Sequence, residues 1–135
     1  MAATEPSSDP QRGLLDTSVL VGAEQRRLEA ELPEELAISV ITLAELRIGV
    51  LRAEDQPTRA RRLETLTRAE AFDALPVDRR VASEFAALVA EARAGGKRPR
   101  ALDALIGATA RAHGLAVYTQ DSDFEAMPGV AIKRI

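Results

Sequence analysis

The chain contains no cysteine and no tryptophan, and only one tyrosine, three phenylalanines and one histidine, His113. Without cysteine there can be no disulfide, thiolate nucleophile or soft metal ligand, and one imidazole cannot assemble a tetrahedral zinc site. So few aromatics give little material for a surface on which single-stranded bases stack. No apolar run reaches the length needed to cross a bilayer, and the opening MAATEPSSDPQR has no apolar core of the kind a signal peptide needs. These absences point to a cytoplasmic protein without a membrane segment. Any metal it uses should be hard and oxygen-bound.

Alanine, leucine and valine dominate what is present. At 135 residues the chain is one domain, able to bury roughly two-thirds of the surface its unfolded form exposes. Residues 1–12 read as a disordered lead-in and 13–135 as the folded unit. The net charge of −3 argues against nucleic acid as a partner, but the charge is uneven. Arg59, Arg61, Arg62 and Arg68 share one segment, and Lys97, Arg98 and Arg100 another. Local patches steer partners, whereas the total mainly sets solubility.

Strand-like and helix-like segments alternate. GLLD (13–16) predicts a short buried strand, then a helix capped at Thr17 or Ser18 and running to Pro33. LAISVI (36–41) predicts a strand, and Thr42 opens a helix with Leu43, Leu46 and Val50 on one face. A charged helix follows from Pro57, then a strand over 72–77 and a helix from Asp78 closed by Gly95-Gly96. After the KRPR loop, ALDALIGATARAH predicts a helix ended by Gly114, LAVYT (115–119) a strand, QDSDFEAM a loop with a short helix, and VAIKRI (130–135) a last strand. This alternation predicts an α/β domain around a parallel sheet of four to five strands flanked by helices.

Four acids stand out against that frame. Asp16 and Asp121 end or closely follow strands, while Glu45 and Asp103 lie early in apolar helices, where a carboxylate is costly without a partner. In doubly wound sheets, ligands bind beyond the carboxyl ends of the strands where the winding reverses. If the first and fourth strands are neighbours, all four acids reach one crevice. Such carboxylates repel until a cation neutralises them, and Mg²⁺ or Mn²⁺ suits an oxygen-only site. Clusters of this kind activate water and stabilise displacement at phosphodiesters, as in nucleases and polymerases. Metalloprotease chemistry is a poor fit, since HExxH is absent.

Three segments, LLDTSVLV, ITLAELRIGV and ALDALIGATARAHGLAVYTQDSDF, occur in an order and spacing that resemble a PIN-domain ribonuclease of the VapC toxin type, over about residues 13 to 125. The resemblance implies a PIN-like fold and a metal-dependent endoribonuclease, the toxin half of a type II toxin–antitoxin pair. It implies catalytic and metal-binding roles for Asp16, Glu45, Asp103 and Asp121, with Asp16 and Asp103 the principal ligands. Thr17, Ser18 and Thr119 match supporting small polar positions, and Asp123 a secondary ligand or loop brace. It further implies Mg²⁺ or Mn²⁺ as cofactor and an RNA substrate, with tRNA and rRNA as candidates. A VapB-type antitoxin is the implied partner, along with a toxin homodimer inside a larger complex.

Blander readings accompany each of these residues. Asp16 could simply cap a helix; Glu45 could pair with Arg47 or Arg52; Asp121 and Asp123 could stabilise a turn through Asx hydrogen bonds. Lys97, Arg98 and Arg100 either form a solvated loop or hold RNA phosphates beside Asp103. The Arg59–Arg68 segment reads foremost as an exposed helix face, and His113 as a partner for carbonyls at a helix end. Two rival functions remain: a catalytically silent PIN-like module acting through antitoxin and operator complexes, and a phosphatase or dehalogenase with Asp16 as nucleophile. The second wants an acid two residues on, where this chain has Ser18.

Overall fold

The computed structural model describes residues 12–25 and 32–135. The elements are β1 (Arg12–Leu15), α1 (Thr17–Gly22), β2 (Glu35–Ser39), α2 (Val40–Arg52), α3 (Gln56–Ala69), β3 (Asp73–Leu75), α4 (Arg79–Ala94), α5 (Ala101–His113), β4 (Ala116–Thr119), a 3-10 turn (Ser122–Ala126) and β5 (Ile132–Arg134). All strand pairs are parallel, in the order β3-β2-β1-β4-β5. The winding therefore reverses between β1 and β4, where the register sets Leu14 against Val117 and Leu15 against Tyr118.

Each sheet face has its own apolar layer because successive strand residues point to opposite sides. Leu14, Ala37 and Val117 pack with Leu88 of α4, with Ala104, Ile106 and Ala110 of α5, and with Phe124. Leu15, Ile38 and Tyr118 pack with Val19 of α1, Leu46 of α2 and Leu66 of α3. Burial on both faces explains why the central strands read as continuous apolar runs. Small residues bring α5 close to its neighbours: a Cβ on Gly107 would stand 3.0 Å from Met127 Sδ and 3.3 Å from Leu88 Cδ1.

Capping sets most helix starts. Ser39, Asp55 and Asp78 accept from the backbone N–H groups of Ile41, Thr58 and Val81 at the starts of α2, α3 and α4. Among the described residues, no helix is long and apolar enough to cross a membrane.

Several boundaries depart from expectation. Of the expected lead-in, residues 1–11 lie outside the described residues, and Arg12 opens β1. The first helix ends at Gly22 instead of reaching Pro33, and 26–31 lie outside the described residues. The turn at 23–25 carries Glu24 to Arg62 and Thr65 of α3, both 2.6 Å away; a half-buried ion pair there outweighs helical periodicity. The second strand stops at Ser39, whose cap draws the β-branched Val40 and Ile41 into α2. The third and fifth strands are three residues each, shorter than expected. The α5 carbonyl of Ala112 takes its hydrogen bond from Arg80 of α4, not from His113.

Candidate active site

Asp16 is the first residue past β1, and Asp121 lies two residues past β4, so both stand at the carboxyl edge where the winding reverses. Asp16 occupies the cap position of α1, but its side chain makes no capping hydrogen bond. Its side chain is engaged elsewhere. Only 4% exposed, it accepts at Oδ2 from Ser18 Oγ (2.8 Å) and Thr119 Oγ1 (2.9 Å). These hydroxyls in turn accept from the backbone N–H groups of Gln120 (3.0 Å) and Asp121 (2.9 Å). Each hydroxyl has one proton and gives it to the carboxylate, so the donor direction runs from the β4 exit loop into Asp16. Oδ1 has no hydrogen bond among the described residues.

Glu45 projects from the second turn of α2. Its Oε1 accepts a 2.6 Å hydrogen bond from Thr17 Oγ1, which also lies 3.2 Å from the fully buried Thr42 hydroxyl. Glu45 pairs with neither Arg47 nor Arg52; Arg47 lies 3.7 Å from Glu70 instead. The sequence reading missed Thr42. Its only signal was a hydroxyl one turn before Glu45, and this hydroxyl is buried without any capping role.

Asp103 sits in the first turn of α5. Burial first, then the charges of Asp16, Glu45 and Asp121, push its carboxyl up to about 6, against the opposing pull of Arg100. Residues 16, 45, 103 and 121 therefore share one field. Asp121 makes the Asx turn foreseen for it, accepting from the Asp123 N–H at 2.9 Å. Asp123 instead faces Arg100 at 3.7 Å, with both side chains exposed, and is not among the groups acting on Asp103.

Among the described residues, no three acid or imidazole side chains stand in a ready-made ligand cluster, yet three acids act on Asp103 through space. Neighbouring carboxylates repel one another, and a cation between them relieves that repulsion. The donor set fits a hard divalent ion: oxygens only, one of them presented by a rigidly held Asp16, and a like-charge cluster in which a cation relieves repulsion. Lys97, Arg98 and Arg100 line a cavity of about 300 Å³ with Asp103 and Asp123 in its walls, so the basic loop borders the acidic crevice. Arg59 and Arg68 are exposed on α3, while Arg62 is committed to Glu24. Ser18, donating to Asp16, occupies the place where an aspartate-nucleophile phosphatase would carry its second acid.

The PIN domain family model matches residues 13–130. "Ribonuclease VapC4" of Mycobacterium tuberculosis is 44% identical over 124 residues, covering 90% of this chain and 95% of that protein. The crystal structure of VapBC-5 from Mycobacterium tuberculosis, a member of the VapBC family of toxin–antitoxin systems, contains a chain 42% identical, with TM-score 0.83, covering 93% of this chain and 98% of that one. A chain in the crystal structure of VapBC2 from Rickettsia felis bound to a DNA fragment from their promoter shares the fold, with TM-score 0.76 at 22% identity, covering 91% of this chain and 98% of that one.

Proposed function

Because this chain belongs to the VapC family of PIN-domain ribonuclease toxins, we propose that Asp16, Glu45, Asp103 and Asp121 are its catalytic acids and together hold Mg²⁺ or Mn²⁺. When bound, such an ion supplies positive charge that activates water and stabilises the attacking and leaving oxygens at a phosphodiester. The observation that carries the assignment is the Asp103 carboxyl, raised to about 6 by burial and by the other three acids.

The chain's own residues divide the work. Ser18 and Thr119 fix Asp16 at one oxygen and leave the other toward the crevice. Thr17 fixes Glu45 at Oε1, leaving Oε2 to orient the attacking water and accept its proton. Asp123 braces the loop that carries Asp121. Lys97, Arg98 and Arg100 hold RNA phosphates beside the acids. Water adds in line at phosphorus and loses its proton to Glu45, the P–O3′ bond breaks, the departing 3′-oxygen takes a proton from solvent, and the products carry a 5′-phosphate and a 3′-hydroxyl. Structured RNA with an exposed loop, such as tRNA or rRNA, is the proposed substrate class.

The proposed setting is the bacterial cytoplasm, with a VapB-type antitoxin and a homodimer of the toxin inside the complex. An antitoxin arginine reaching the acids would take the cation's place. The test is cleavage of purified total RNA by antitoxin-free protein with Mg²⁺, Mn²⁺ or EDTA, comparing wild type with Asp103→Asn. Discrete fragments that vanish with EDTA and with the substitution are expected. Fragments that persist in EDTA or from Asp103→Asn would overturn the assignment.

A further inference from the structure

The acidic crevice opens on one side into the cavity of about 300 Å³ between the 97–100 loop and the 3-10 turn. We propose that this cavity is a subsite for one unpaired nucleotide beside the scissile phosphate; the proposal rests on the nuclease reading above. Three features of the walls point to a nucleotide.

The rim is cationic and uncommitted. Lys97 and Arg98 have no acidic partner among the described residues, and Arg100 has only the 3.7 Å contact with Asp123, both side chains being exposed. Such a pair holds its cation weakly, so the Arg100 guanidinium can turn to a phosphate. The floor is apolar: Pro99, Ala126 and Met127 contribute to it, and Met127, 5% exposed, is anchored in the core against α5. An apolar patch of this kind suits one face of a base in a chain that has almost no aromatics to offer. Asp103 lies in the inner wall, so RNA with its phosphate at the acids has its neighbouring nucleotide here.

Size and charge narrow the occupant. The volume is at the small end of ligand pockets: enough for one nucleotide, too little for a nucleotide still paired with its complement. A paired nucleotide would have to leave its helix first, which costs energy that a loop does not spend. A nucleotide brings one phosphate and a neutral ring to a cationic rim and an apolar floor. An acidic peptide would set further carboxylates against Asp103 and Asp123. A second hollow of about 250 Å³ shares Lys97, Ala126 and Met127 and leads on to Pro128, extending the track.

The experiment uses synthetic RNA carrying a cleavage position mapped from the total-RNA digest. At each nucleotide flanking the cut, the base is replaced by an abasic ribose, and each substrate is given to wild type and to Ala126→Leu. Ala126 is exposed, so leucine fills the cavity without entering the core. The expected result is a fall in kcat/KM of roughly tenfold or more for one of the two abasic substrates, the scale of a lost base contact. Ala126→Leu should lower kcat/KM on intact RNA by a similar factor and add nothing on that abasic substrate. Wild-type cleavage indifferent to both abasic positions overturns the proposal and leaves the nuclease assignment standing, whether or not Ala126→Leu folds. If Ala126→Leu weakens antitoxin binding and leaves cleavage unchanged, the cavity belongs to the partner protein and the proposal falls. If the wild type cuts no RNA, both readings fall together.

Discussion

At the scale of single residues, Asp16 shows how a buried carboxylate is kept usable. It has no cationic partner among the described residues; two hydroxyls satisfy one oxygen, and the other has no hydrogen bond among the described residues. Both hydroxyls also receive a backbone N–H, but Thr119 matters more of the two because it is fully buried. Thr119→Val keeps the shape but removes the proton given to Asp16 and the acceptor for that N–H. A hydroxyl in this supporting position is expected to matter roughly 10–100-fold in cleavage rate or metal affinity, and the orphaned N–H should cost about 1–3 kcal/mol of stability. Thr119→Ser restores both bonds and should recover most of the cleavage. Steady-state cleavage with titrated Mn²⁺ checks this: an unchanged metal dependence and rate for Thr119→Val would leave the hydroxyl a purely structural role.

At the scale of elements, the seam between β1 and β4 depends on Gly13. A Cβ there would lie 2.5 Å from Tyr118 Cε1, 2.7 Å from Cδ1 and 2.9 Å from Pro33 Cγ. The tyrosine ring is 4% exposed and cannot swing out. Gly13→Ala should therefore destabilise by about 1–3 kcal/mol through overpacking, read as a lower denaturant midpoint with an unchanged slope. Cleavage should fall as well, because the same seam sets Asp16 against Thr119. A midpoint equal to wild type would show that the ring can move aside. Elements such as this seam were legible because buried parallel strands read as apolar runs and glycine ends helices, as Gly114 does at φ +64°. Ends were less legible where a tertiary bond decides them: Glu24 reaching Arg62 stops α1 early, and the Ser39 cap claims Val40 from β2. The four acids were legible because their positions relative to strand ends follow from sheet topology. The relay from Thr119 to Asp16 spans 103 residues and leaves no local pattern. Thr42 likewise becomes visible only once α1 and α2 are side by side.

At the scale of the whole molecule, the acid cluster couples stability to pH and to divalent ions. The Asp103 carboxyl rises from 3.8 to about 6 on folding, so the native state binds its proton more tightly than the unfolded chain does. This contribution is fully present below pH 3.8 and is lost as pH rises through about 6. Asparagine cannot ionise, so Asp103→Asn should match wild type near pH 4 and melt progressively higher than metal-free wild type between there and pH 7. The gap is moderated by solvent, since Asp103 is only partly buried. Divalent cation should act in the opposite sense: at pH 7, Mg²⁺ or Mn²⁺ stabilises wild type by an amount growing with the logarithm of its concentration and does so much less for Asp103→Asn. At pH 5 protons compete for the same carboxylates, so the ion-induced rise in Tm should shrink. Thermal melts of both proteins over pH 4–8, with EDTA or with titrated Mn²⁺, test the coupling without any RNA. A wild-type Tm that ignores both pH and Mn²⁺ across that range would mean that the four carboxylates do not act as one site.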